Sequence, residues 1–163
     1  ERFDNKNLPL VKYFNQFMGI DCNKISTDRA LRHFNNAHPY LTMALEMRKG
    51  KLLKFQTSSM IWATFARAIA ITGEKEKIYR FVDVFKTGTS IDRNDGAALL
   101  LREHVLDLFI KAQKNGHSAF GGGKGQETLK RRVIDALYAY LNGLNVKTLP
   151  IAPDDYMKFE WES

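Results

Sequence analysis

Cysteine is almost absent from this chain: Cys22 is the only one in 163 residues. That excludes an intramolecular disulfide and fits a reducing compartment. Nothing around Cys22 suggests a stabilised thiolate, so it reads as a small packing side chain rather than a nucleophile. Long apolar runs are missing too. The longest, Met60 to Ile71, is broken by Thr64 and Arg67; it is too short to span a bilayer and suits a buried core helix. No signal-peptide pattern is seen, and the opening at Glu1 reads as an excised domain or a processed chain. The β-branched alternation that marks strands is nearly absent.

Metal and catalytic signatures are equally scarce. The four histidines, His33, His38, His104 and His117, form no HExxH pattern and pair with no cysteine at zinc spacing. His33 and His38 flank a helix break, and His104 reads as a packed imidazole on a helix. Carboxylates are scattered: Asp92 and Asp95 look like cap residues, and Asp154-Asp155 like a solvated acidic turn. Gly121 to Gly125, GGGKG, resembles a phosphate loop only superficially. Lys124 is followed by Gly125 rather than Ser or Thr, and no strand precedes it. The expectation is therefore no enzyme, no cofactor and no metal.

What is present is helix pattern. A chain 44% hydrophobic and 26% charged is globular and long enough for one core. Helices are expected over Leu8–Met18, with Pro9 in the first turn and Gly19 at the stop, and from Ser26 or Thr27 to about Ala37. Pro39 is expected to begin the next, closed by Gly50. Further helices are expected over Met60–Ile71 and Lys75–Thr87, where Ile78, Phe81, Val82 and Phe85 form one stripe. Ala97–Lys114 and Gln126–Asn142 complete the set, and the residues around Pro150 and Pro153 read as extended. The fold class is all-α: six or seven helices in a single compact domain around a buried central helix, residues 60–71. The helical domain is placed at 1–150 and an acidic, aromatic tail at 151–163.

Charge supplies the functional expectation. The net charge is +7, yet the tail holds Asp154, Asp155, Glu160 and Glu162 against Lys158 alone, so the preceding 150 residues carry +10. A basic body of this kind is compatible with polyanion binding. Two clusters are candidates for contacts to backbone phosphate. One surrounds the glycine-rich loop: Lys111, Lys114, Lys124, Lys130, Arg131 and Arg132. The other, Lys49, Lys51 and Lys54 beside Arg48, also reads as a solvated helix end favoured by the helix dipole. Whether they share a face decides their meaning, because phosphate neutralisation is cumulative. Phe120, among the glycines, is read as an anchor that docks back or as a base-stacking ring. Tyr156, Phe159 and Trp161 in the tail are expected to pack on this domain or on a partner.

One resemblance bears on setting. Ala37-His38-Pro39, the Met60–Ile71 helix, Phe85-Lys86-Thr87-Gly88, Leu100-Leu101-Arg102-Glu103-His104 and Ala136-Leu137-Tyr138-Ala139-Tyr140-Leu141-Asn142-Gly143 occur in that order, followed by Val146-Lys147-Thr148-Leu149. Over about residues 35–150 this resembles the helical region that follows the ParB-like N-terminal domain in phage and mobile-element proteins. The ParB-like domain itself is outside this sequence, so none of its nucleotide-binding or nuclease residues carries over. The resemblance implies a cytoplasmic accessory module, in a bacterium or phage-infected cell, working near DNA. The alternative is a module for protein–protein interaction or assembly, such as a regulator of a host protein or a self-associating scaffold.

Overall fold

The computed structural model describes residues 9–19, 24–49, 59–90, 92–116 and 123–157. Among these, six α-helices are present and no strand: α1 (Pro9–Met18), α2 (Thr27–Arg48), α3 (Ser59–Thr72), α4 (Lys75–Thr87), α5 (Gly96–Asn115) and α6 (Gly123–Leu141). The all-α reading holds, and so does the central helix. Met60 to Phe65 are buried in succession, as are Ala66, Ala68 and Ile69, because α3 is apolar on nearly every side. It packs against α1, α2, α4 and α6. An aromatic chain ties three helices together: Trp62 and Phe65 of α3 meet Phe85 at 5.9 and 5.7 Å, Phe65 meets Phe81 at 5.7 Å, and Phe81 meets Tyr140 of α6 at 5.1 Å. All are edge-on, the arrangement that ring quadrupoles favour.

Two helix boundaries differ from expectation. Pro39 does not begin a helix; it lies inside α2, which runs unbroken from its Ser26 cap. The buried stripe Ala30, His33, Ala37, Leu41, Ala44 and Met47 crosses the proline without losing phase. Proline removes one N–H, so the Asn35 carbonyl loses its helical donor. Pro39 and Asn35 are both exposed, where water satisfies that carbonyl. The second difference is at α6, which opens at Gly123 rather than Gln126. The backbone of Lys124 and Gly125 is thus in the first helical turn and not in a loop.

Three cations hold the bundle together by capping helices other than their own. Lys86 of α4 donates to the carbonyls of Met47 and Lys49 at the end of α2, both at 2.7 Å. Arg102 of α5 donates to Phe85 and Lys86 at the end of α4, at 2.8 and 2.6 Å. Arg67 of α3 donates to Phe17 near the end of α1 at 3.4 Å. The last carbonyls of a helix have no partner within it and carry the negative end of its dipole, so a cation there both donates and neutralises. Asp92 and Asp95, read from the sequence as cap residues, form a capping box across the 3-10 turn Arg93–Asp95 that leads into α5.

Candidate nucleic-acid interface

The site is built on α5 and α6. These helices are antiparallel: Gly96 at the start of α5 lies beside the carbonyl of Val146, past the end of α6, and further along His104 faces Arg132. Lys111 and Lys114 therefore sit at the same end of the pair as the first turns of α6. Along α6, Lys124 falls in the first turn and Lys130, Arg131 and Arg132 fall at mid-helix, after Glu127; the first turn contains no acid and the last turn no base. A helix dipole acts within the terminal turns, so of these bases it bears on Lys124 alone.

The candidate cations differ in what they are free to do. Lys111 is exposed and pairs with Asp107 at 3.0 Å, one turn away on the same helix. Such a pair is worth about 0.3–0.5 kcal/mol. Lys114 is exposed. Lys130 is half-buried; burial first, then the Arg67 guanidinium, pulls its ammonium below the usual lysine range, while Glu127 opposes the shift. Arg131 is largely exposed and reaches Asp154 at 3.9 Å. Arg132 is different: its guanidinium donates to the buried Asp135 carboxylate at 2.9 Å and to the Leu149 carbonyl at 3.5 Å. It is a positioning residue for the segment after α6. Lys124 belongs to the first turn of α6.

Lys49 belongs to another junction, between the end of α2 and α4, where its carbonyl receives Lys86. Lys51 and Lys54 lie outside the described residues, as do Phe120, Phe159 and Trp161. Tyr156 packs edge-on against Tyr138 of α6 at 5.0 Å. Sequence reasoning missed Arg67, which α3 carries to Lys130 from sixty-three positions earlier in the chain. An arginine interrupting the most apolar helix was the available signal.

Between α6 and the segment after it lies a cavity of about 130 Å³, with Lys130, Arg131 and Ile134 on one side and Pro153, Asp154 and Tyr156 on the other. Glu127 and Asp135 contribute carboxylates to its lining. Pockets that enclose small-molecule ligands run to about 300–1,000 Å³, so this one is too small to enclose such a ligand. Among the described residues no three potential metal ligands are grouped, and no helix is long and apolar enough to cross a membrane. Comparison with known proteins finds no family model that matches this chain, no similar curated protein and no matching solved structure.

Proposed function

We propose that this chain is a non-enzymatic helical module that contacts nucleic-acid backbone phosphate through the first half of α6 and the adjoining end of α5. The observation that supports the reading is the packing of α6, which carries Lys130 and Arg131, beside the end of α5 that carries the exposed Lys111 and Lys114. Lys130 and Arg131 supply the contacts from α6, Lys111 and Lys114 those from α5, and Lys124 adds charge to the first turn. Contacts of this type read the polyanion and not the base sequence. The resemblance to the region following ParB-like domains supports a setting near DNA in a phage or mobile-element protein, in the cytoplasm.

The test is titration with mixed-sequence duplex DNA at about 50 and about 200 mM salt. With about four phosphates neutralised, affinity should fall roughly a hundredfold between them. No binding at the lower salt, or binding indifferent to salt, removes this reading.

The second reading is a protein-interaction module, for which Ile151, 78% exposed on the segment that docks against α6, is the side chain to probe. If self-association uses it, light scattering will report an oligomer that Ile151→Asp converts to a monomer; a wild-type monomer across the micromolar range opposes self-association.

A further inference from the structure

The segment after α6 is fastened by groups outside its acidic turn. The Ala152 N–H donates to the Asp135 carboxylate at 2.8 Å in a buried contact, and Arg132 bridges the same carboxylate to the Leu149 carbonyl. Tyr156 lies against Tyr138, and Met157 is only 7% exposed. Between these anchors the chain reverses, with the Tyr156 N–H donating to the Pro153 carbonyl at 3.0 Å. The two central residues of that turn are Asp154 and Asp155, both exposed. The side chain of Asp154 is 95% exposed, yet it is held 3.9 Å from the Arg131 guanidinium. It also rims the cavity whose other wall is Lys130 and Arg131.

We infer that this docked acidic turn is a built-in competitor for phosphate at Arg131, an autoinhibitory contact that a bound polyanion displaces. The inference rests on the reading of α6 as phosphate-contacting. The reason is positional: Asp135, Tyr138 and Leu149 already fix the segment, so the two carboxylates at its turn are surplus to docking, and the turn delivers one of them to the half-buried lysine's neighbour. A competing polyanion and the turn cannot both occupy the Arg131 guanidinium, so the affinities are linked with opposite sign. The pair is exposed, and its grip is correspondingly modest.

The experiment is anisotropy titration of labelled duplex DNA with the full chain at about 50 mM salt. It compares wild type, Asp154→Asn/Asp155→Asn, and a control, Glu74→Gln/Glu76→Gln, which removes the same charge from exposed positions at the start of α4. The turn variant should bind about three- to tenfold more tightly than wild type, an advantage that shrinks by about 200 mM salt. The control should gain less than half as much. In an Arg131→Gln background the turn substitutions should lose most of their effect. If wild type binds DNA but the turn variant binds no better than the control, the autoinhibitory contact is overturned and the proposed function stands. If neither binds at low salt, both fall together.

Discussion

Lys86 caps a helix to which it does not belong: its Nζ lies 2.7 Å from the carbonyl oxygen of Met47, at the end of α2. With Arg67 and Arg102 playing the same part for α1 and α4, a share of the basic surplus is structural and unavailable to a ligand. Counting lysines and arginines along the chain therefore overstates the charge offered to a polyanion. What matters is which cations remain exposed: Lys111, Lys114 and Arg131 do on α5 and α6, and so do Arg29, Arg32, Lys75 and Lys77 elsewhere.

Lys86→Met keeps the buried stem and removes both donors, leaving the Met47 and Lys49 carbonyls without the cap. Hydrogen bonds from a charged donor contribute about 1.5–3 kcal/mol each, part of which is offset by no longer burying an ammonium. Urea denaturation should show a loss of about 2–3 kcal/mol with an unchanged m-value. A loss below about 0.5 kcal/mol would mean that the α2 end needs no partner from α4.

Two glycines with the same backbone twist should respond differently to alanine. Gly73 has φ +72° with open space where a Cβ would be, whereas Gly88 has φ +74° and its Cβ would lie 2.8 Å from Arg102 Nε. Gly73→Ala should cost about 1–2 kcal/mol, from the left-handed conformation alone. Gly88→Ala should cost more, because the intruding methyl also moves the guanidinium that caps α4. Equal melting temperatures for the two variants would contradict this.

Asp95 should matter more than Asp92, although both belong to one capping box. Asp95 is fully buried and accepts from Arg80 at 3.2 Å and from the Asp92 N–H at 3.1 Å. Asp92 is exposed and serves the Asn94 N–H. Asp92→Ala should cost about 1 kcal/mol, an ordinary cap. Asp95→Ala removes the carboxylate on which the turn and Arg80 both converge, so chemical denaturation should rank it well above Asp92→Ala. The reverse ranking would sink the proposed role of this junction.

Acid should weaken the fold through histidine. Burial, then nearby arginines, hold His33 below the usual imidazole range; burial and Arg132 do the same for His104, with Lys111 adding and Asp107 opposing. A lowered folded value means the unfolded chain takes up the proton more readily. The contribution is therefore whole above about pH 6.5 and is lost as pH falls through the folded values. Melting temperature should drop between pH 7 and pH 5, and His104→Leu should flatten that drop. Identical pH profiles for variant and wild type would mean that His104 has no part in it.

Much of this fold was legible in the sequence. The near-continuous apolarity of Met60–Ile71, interrupted by Thr64 and Arg67, announced the central helix, and Asp92 and Asp95 read as caps before α5. Pro39 misled because local propensity speaks for a boundary while the stripe from Ala30 to Met47, which is tertiary, overrides it. The α6 start misled for a similar reason: Gly121 to Gly125 reads as loop, yet Gly123 and Gly125 lie in the first helical turn. At the site, the α5–α6 cations were visible as a cluster, but their division into paired, buried and exposed was not. Arg132 meets Asp135 one turn away and Leu149 beyond the helix end, and Arg67 reaches Lys130 from α3. Only packing brings such partners together.

The proposed phosphate neutralisation by Lys130 and Arg131 is tested most directly by the slope of log affinity against log salt. Replacing both in a Lys130→Gln/Arg131→Gln variant should lower affinity for every duplex sequence alike. The slope should become shallower by about 2, close to 0.9 for each phosphate no longer neutralised. A variant that matches wild type in both slope and affinity would contradict a phosphate-binding role for this end of α6.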